Sequence, residues 1–325
     1  MKVEVSSSAR LHFGFYTIST GHMAYGSIGV AISEPTVTVQ VSRSDGLKVR
    51  NLTQVKIEQN VKEVLKRLKI SGAEVTILNA IPRHLGLGST TQSELSIAYA
   101  VSKIYNRSCN IRQLAFMMKR GWVSGIGTAL FEHGGFVLDT GRLLKKGRIC
   151  EPESSDELPR IMYRSSFPRN WYFIVAVPKG IRGFDEREEK PFLEIPESNP
   201  KIERQLHEAV LLHMLPALAR KDAETFGKAL TKVQLLVGKY FSKHQHGEFC
   251  CWETEQLVKS LLNGGAYGAG QSSWGPTAYG MIEGQKRGKN LLGYMLKSTD
   301  KIGVESELFM VQARNRGFSC KLVET

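Results

Sequence analysis

The stretch Ile81-Pro82-Arg83-His84-Leu85-Gly86-Leu87-Gly88-Ser89-Thr90-Thr91-Gln92 constrains this chain more than any other. The run before it, Ala73-Glu74-Val75-Thr76-Ile77-Leu78, alternates apolar and polar residues and predicts a half-buried strand. After it, Leu95, Ile97, Ala98, Val101 and Ile104 recur at helical spacing between Ser93 and Tyr105. A strand, a glycine-rich turn and a helix in that order aim free backbone N–H groups and the positive end of a helix dipole at one point. Such a point suits an anion, most often a phosphate. Gly86, Gly88, Ser89, Thr90 and Thr91 therefore read as a phosphate cradle, with a plain helix cap as the alternative.

Composition narrows the class. The chain has 325 residues, 42% of them hydrophobic, enough for one large domain or two of ordinary size. It contains no apolar run long enough to span a bilayer. Met1-Lys2-Val3-Glu4-Val5 alternates charge and valine, so it reads as a strand and not as a signal segment; a cytoplasmic, membrane-free protein is expected. Five cysteines at 109, 150, 250, 251 and 320 show no metal-binding spacing and no disulfide framework. The formal net charge of +13 calls for an anionic partner or simply a basic surface. The charges are dispersed and no RNA-binding aromatic motif accompanies them, so a phosphorylated small molecule is favoured over nucleic acid.

Two further glycine- and serine-rich loops follow, Arg120-Gly121-Trp122-Val123-Ser124-Gly125-Ile126-Gly127 and Gly264 to Pro276. Arg10 and His12, two apart in a β-rich start, share one side of a strand. Helices are expected over 54–70, 110–119, 201–220, 222–241, 252–262 and 285–297. Strands are expected near 134–139, 171–177, 277–282, 306–312 and 317–323, and 181–200 reads as a charged loop. Residues 140–168 are polar and irregular and look like the connection between lobes. The pattern is α+β and two-lobed, residues 1–150 and 151–325, with the glycine loops converging between the lobes.

Pro82, Gly86, Leu87, Gly88, Ser89 and Thr90 resemble the P-x-x-x-G-L-G-S-S motif of the GHMP kinase superfamily, and Gly265 to Pro276 resembles its third motif. The resemblance implies that fold, with a β-rich first lobe and a ferredoxin-like second lobe. The kinases' second loop usually ends S-G-x-D; here Gly127 stands in place of the acid, and no acid occurs between Asn110 and Arg120. Phosphoryl transfer needs metal and a positioned nucleophile, so an ordinary kinase fits poorly. A narrower family, the β-ribofuranosylaminobenzene 5′-phosphate synthases of the methanopterin branch in archaea, resembles the whole chain. The specific matches are His84 to Gln92, Ser124 to Gly127 with Phe131-Glu132-His133-Gly134-Gly135-Phe136, and Gly270 to Thr277; Trp122-Val123 departs from the smaller residues usual there.

This second resemblance implies a homodimeric transferase that joins 4-aminobenzoate to 5-phosphoribosyl 1-diphosphate, with loss of CO2 and diphosphate. Such a reaction needs anion donors, Mg²⁺ or cations for the leaving group, a carboxylate near an oxocarbenium-like carbon, and a flat ring pocket. Asp139 and Glu132 are the candidate acids, alongside structural hydrogen bonding as the bland alternative; Asp139 and Glu186 are candidate Mg²⁺ ligands. Arg10, His12 and Arg120 are candidate anion or carboxylate partners. Ser124, Gln92, Gln271, Ser272, Ser273 and Trp274 add donors and an aromatic wall, with a packed turn as the alternative for the last four. A GHMP-type ATP-dependent kinase and a non-catalytic phosphometabolite or nucleic-acid binder are the competing functions.

Overall fold

The computed structural model describes residues 1–184, 186–245 and 247–324, with Glu186 and Arg187 described by backbone alone. Two long strands, β1 (Lys2–Ser19) and β2 (Met23–Ser42), open the chain as an antiparallel pair. Bulges interrupt the apolar alternation of the pair. The register slips between Ser8 and Arg10, between His12 and Gly14 and between Phe15 and Thr17. Bulges re-aim side chains without ending a strand. Here they flank the Arg10–His12 segment.

Next come β3 (Leu47–Asn51), α1 (Glu58–Leu68), β4 (Ala73–Asn79) and α2 (Ser89–Ile104). The expected strand, loop and helix around Gly86 are all present, and the helix starts at Ser89, four residues earlier than its apolar periodicity suggested. Then follow α3 (Ile111–Met117), α4 (Ile126–His133), β5 (Phe136–Asp139), β6 (Arg142–Leu143) and β7 (Ile161–Ser165). The first sheet has the order β12-β1-β2-β4-β3, where β12 is Ser319–Val323; β5 and β6 pair with β2, and β7 pairs with β5. Two of its strands, β7 and β12, therefore lie beyond residue 150.

The second lobe begins with β8 (Trp171–Pro178) and α5 (Glu186–Leu193), a helix within the stretch expected as a loop. Its five charged residues in eight hide the short apolar face that ends in Phe192 and Leu193. A continuous helical run follows: α6 (Pro200–His207), a π-helical turn at Glu208–Met214, and α7 (Leu215–Arg220). Then come α8 (Ala223–Phe241), α9 (Trp252–Asn263), β9 (Gly268–Gln271), β10 (Ala278–Glu283), α10 (Gln285–Ile302) and β11 (Ser306–Gln312). The sheet order β11-β8-β10-β9, all antiparallel, is the ferredoxin-like arrangement.

The two sheets share one aromatic core. Phe13 of β1 packs on Phe173 of β8 and Tyr279 of β10, with ring centroids 6.0 and 5.3 Å apart. Phe136 of β5 meets Phe167 and Phe226, and Phe167 stacks on Phe173 at 5.5 Å. All of these rings are fully buried. Phe173→Ala should cost about 3–5 kcal/mol. Because the core spans both sheets, urea unfolding followed by circular dichroism and by tryptophan fluorescence should shift together as one transition; two separated transitions would mean the lobes are independent.

Candidate active site

The glycine loop is built by left-handed backbone at His84, Gly86 and Gly88, with φ of 58°, 77° and 81°. At Gly86 a Cβ would fall inside the Ser272 carbonyl oxygen, so the close approach of the third loop also demands glycine. The Gly86 carbonyl accepts from the Arg10 guanidinium and, at 2.6 Å, from the Ser272 hydroxyl. Gly88 is the N-cap of α2, and no side chain caps the first turn. The amides of Ser89, Thr90 and Thr91 therefore precede the first intrahelical bond, Gln92 N–H to Gly88 O at 3.1 Å.

This helix end opens on a cleft of about 1050 Å³ between the lobes. All three glycine loops reach it, through Thr90 and Thr91, through Ser124 and Gly127, and through Gln271, Ser273 and Trp274. Arg10, His12 and Arg120 line it too. The cleft is basic: Arg10, Arg67, Arg83, Lys119, Arg120 and Lys190 face Glu151, Glu189 and Glu248. The cleft also has an aromatic wall of Phe15, Phe241 and Trp274. Phe241 packs against Trp274 at 4.6 Å and Phe15 at 6.0 Å, and Phe192 supports Trp274 at 4.9 Å.

Arg10 is charged at neutral pH, although burial lowers its pKa to about 10 against the opposing field of Glu189. His12 is 5% exposed. Its Nδ1 accepts from the Gly14 amide at 3.1 Å, so its proton sits on Nε2, which donates to Ser124 Oγ at 3.1 Å. Burial, and then the nearby Arg10, hold its pKa well below 6.5. Ser124 Oγ also accepts from the Ile126 amide at 3.3 Å. With two donors on its oxygen, Ser124 has its own proton left to give to a ligand. His12 is thus a neutral orienting group and not a proton source at neutral pH.

Several expected site residues turn out to hold the frame. Asp139 is 1% exposed and does not line the cleft. Its Oδ1 accepts from the amides of Ser27 and Gly141 at 2.9 Å each, and its Oδ2 from Gly125 at 2.7 Å. Burial pushes its carboxyl up to about 7 while those three amides pull it down. Its geometry is that of a clamp on the second glycine loop, and it is not among the residues that line the cleft. Glu132 sits on the outer face of α4 beside His133 at 3.5 Å, also away from the cleft. Gln92 is fully buried and ties α2 to the Gly127 carbonyl at 2.9 Å. Ser89 is buried at the first turn of α2, and Ser272 is buried with its hydroxyl on the Gly86 carbonyl. Gln271 accepts from Cys250 N–H at 2.7 Å and donates to Ser273 O at 2.8 Å, so its amide braces the third loop. The Glu186 side chain lies outside the described residues. The five cysteines are free thiols.

Other residues escaped the sequence reading. Glu94 on α2 is 5% exposed and pairs with Arg120 Nε at 3.1 Å, while Asn60 donates to its other oxygen at 3.0 Å. The cleft therefore receives an Arg120 whose charge is already compensated. Gln234 of α8 joins the lobes by donating to Phe13 O and accepting from Gln271 N–H, at 2.6 and 2.7 Å. Lys190 of α5 sits 5.4 Å over the Trp122 ring, and the Gly183 amide donates to His84 O at 2.7 Å. These pairings cross long sequence distances and leave no local periodic signal. Among the described residues no group of three His, Cys, Asp or Glu could hold a metal, and no helix is long and apolar enough to cross a membrane.

Residues 56–135 match the family described as GHMP kinases N terminal domain, and residues 214–299 match GHMP kinases C terminal. The β-ribofuranosylphenol 5′-phosphate synthase of Methanocaldococcus jannaschii is 31% identical to this chain, over 96% of it and 98% of that protein. The synthase of the same name from Archaeoglobus fulgidus is 30% identical over 90% of each. The chain belongs to the β-ribofuranosylphenol 5′-phosphate synthase family. Among solved structures, the homoserine kinase of Cytophaga hutchinsonii superimposes with a TM-score of 0.69 at 18% identity, covering 98% of this chain and 97% of that one. The galactokinase of Lactococcus lactis gives 0.67 at 14% identity, covering 98% and 95%. These likenesses establish the GHMP kinase fold for this synthase-family chain. Where kinases of that fold usually carry an acid in the second loop, this chain has Gly127, and a Cβ there would already press Thr91 Cγ2 at 3.1 Å.

His12 gives a test with a definite sign. Below about pH 6.5 an unfolded histidine takes up a proton. The folded imidazole, with its lowered pKa, does not, so stability falls as pH falls through that range. The loss from this group should reach roughly 1 kcal/mol by pH 5.5. Urea midpoints measured between pH 7.5 and 5.5 should fall less steeply in His12→Gln than in the wild type; equal slopes would show that His12 titrates normally in the folded protein.

Proposed function

We propose that this enzyme joins 4-aminobenzoate to C1 of 5-phosphoribosyl 1-diphosphate, releasing CO2 and diphosphate to form β-ribofuranosylaminobenzene 5′-phosphate. The reading is carried by the nearly full-length match to synthases of β-ribofuranosylphenol 5′-phosphate. The cleft supports it by pairing a helix end and basic side chains with an aromatic wall. The ring carbon that bears the carboxylate gives its electron pair to C1, and the bond from C1 to diphosphate oxygen breaks. The carboxylate then departs as CO2 and its bonding pair restores the ring. The exchange needs no net proton transfer, which suits a site whose histidine is held neutral.

In this reading the amides of Ser89 to Thr91 and the hydroxyls of Thr90 and Thr91 hold a phosphate at the end of α2. Arg10 adds a fixed positive charge in a low-dielectric setting, where it acts most strongly on the negative charge of a departing diphosphate. Ser124 donates to a substrate oxygen in an orientation set by His12. Phe15, Phe241 and Trp274 flank the ring and exclude water. Of the residues that line the cleft, Glu189 and Glu151 would be the ones to help hold Mg²⁺, which would supply neutralisation of leaving-group charge. A homodimer in the cytoplasm and a place in methanopterin synthesis complete the proposal.

This chain has Gly127 where the kinases carry an acid, and an aspartate there would bring negative charge to the phosphate site. Gly127→Asp should raise KM for phosphoribosyl diphosphate by roughly tenfold or more without creating ATP turnover. Ser124→Ala should lower kcat by about 10–100-fold with the fold intact, in keeping with the loss of one half-buried donor. The assay is release of labelled CO2 from carboxyl-labelled 4-aminobenzoate, dependent on phosphoribosyl diphosphate. Absence of that release, or formation of ADP with an alcohol acceptor, would reject the synthase reading.

A further inference from the structure

We infer that Cys250 and Cys251 form a reversible oxidation site: a small-molecule disulfide converts the dithiol to an intramolecular disulfide, and the change loosens the third glycine loop.

The reaction proposed above uses neither thiol, and neither lines the cleft. Neighbouring side chains of an extended chain point to opposite faces. Here the chain bends at Cys250, just before α9 begins at Trp252, and the two sulfurs turn to the same side, 3.4 Å apart. Both also meet one oxygen. Thr254 Oγ1 lies 3.3 Å from Cys250 Sγ and 3.2 Å from Cys251 Sγ. Thr254 is fully buried and donates its own proton to Pro276 O at 2.8 Å, which fixes that oxygen between the thiols and the third loop.

The pair contains a nucleophile and a resolving partner. Cys250 S–H donates to Cys251 Sγ, and this bond holds the Cys251 thiol below its ordinary range while raising that of Cys250. Cys251 is also the N-cap residue of α9, where the positive end of a helix favours a thiolate, although Glu253 and Glu255 in the first turn oppose it. Both thiols are only partly buried, so a small reagent has access. The Cys251 thiolate attacks one sulfur of the reagent RSSR, the S–S bond breaks, and RS⁻ departs, leaving a mixed disulfide. The sulfur of Cys250 then gives up its proton and attacks Cys251 Sγ, releasing the second RS⁻. The two thiol protons end on the two released thiols, and two electrons pass from the protein to the reagent. Adjacent Cα atoms are about 3.8 Å apart, inside the roughly 4.4 Å lower limit usual for disulfides, so the product is strained and readily reduced.

The third loop feels this change through short bonds. Cys250 N–H donates to Gln271 Oε1 at 2.7 Å, and Gln271 Nε2 holds Ser273 O at 2.8 Å. Gly275 O lies 3.7 Å from Cys250 Sγ, and a Cβ on Gly275 would fall 2.2 Å from Gly86 N. Drawing the sulfurs together to about 2.05 Å shifts the Cys250 backbone that carries the bond to Gln271.

The test treats the full chain with oxidised glutathione and follows intact mass, peptide mapping and amide deuterium uptake. Wild type should lose two hydrogen atoms in mass and retain no glutathione. The link should map to Cys250–Cys251 and reopen with dithiothreitol. Cys250→Ser should keep one glutathione on Cys251, and Cys251→Ser should react about tenfold more slowly than wild type. Deuterium uptake over residues 270–277 should quicken about twofold or more in oxidised wild type and stay unchanged in a treated Cys250→Ser, Cys251→Ser double variant. The inference is overturned if wild type stays reduced, if it retains glutathione, if the link joins other cysteines, or if oxidation leaves uptake over 270–277 unchanged. Should a variant not fold, the wild-type measurements decide alone. None of these readouts needs turnover, so the synthase reading and this inference stand or fall separately.

Discussion

The Gly86 carbonyl is the point on which the site depends. It accepts from Arg10 of the first strand and from Ser272 of the third glycine loop. One oxygen thus ties together the phosphate loop, the β1 bulge and the second lobe. Neighbouring bonds extend the tie: Arg10 N–H donates to Leu87 O at 3.1 Å, His12 N–H to Ser272 Oγ at 3.1 Å, and Ser273 N–H to His12 O at 3.3 Å. A backbone carbonyl in a left-handed turn has little freedom, so its two donors are held in turn. The Arg10 guanidinium is thereby aimed at the cleft although burial opposes its charge.

Around that anchor the protein separates holding from reacting. Asp139, Gln92, Gln234, Gln271 and Ser272 bond backbone groups of the loops and strands around them. Each keeps a glycine loop in place, and buried polar groups are stable only when paired in this way. What remains turned to the cleft is a short set: the amides at the start of α2, Arg10, Thr90, Thr91 and Ser124, together with the aromatic wall. Such a division explains how a kinase fold can host different chemistry. The phosphate-binding frame persists, while Gly127 removes the carboxylate that a phosphoryl acceptor would meet.

Much of the fold was legible because it rests on local patterns. The strand at Ala73–Asn79, the loop glycines and α2 follow from alternation, glycine placement and helical spacing. The strand Trp171–Pro178 and helix Ala223–Phe241 were equally plain. The α5 helix was not, because five charges in eight residues mask its apolar face. The unbroken length of β1 was hidden for another reason: each bulge shifts the apolar period by one residue. Arg10, His12, Ser124, Gln271 and Trp274 were found near their motifs and do line the cleft. The division between structural and ligand-facing roles was not legible, since Asp139 and Ser124 look alike in sequence as polar residues beside glycines.

The sequence by itself determined the three glycine loops, their order and the absence of an acid at position 127, because these are properties of residue type and spacing. It also carried the family resemblance, since that resides in motif strings. The tertiary structure alone decided which polar atoms are already spent. Asp139 meets Ser27, 112 residues away, and Ser272 meets Gly86 across 186 residues. Arg120 meets Glu94 of α2, whose other oxygen accepts from Asn60 of α1. A hydrogen bond is short and directional, so whether a carboxylate clamps a loop or faces a substrate depends on a few tenths of an ångström between elements far apart in the chain.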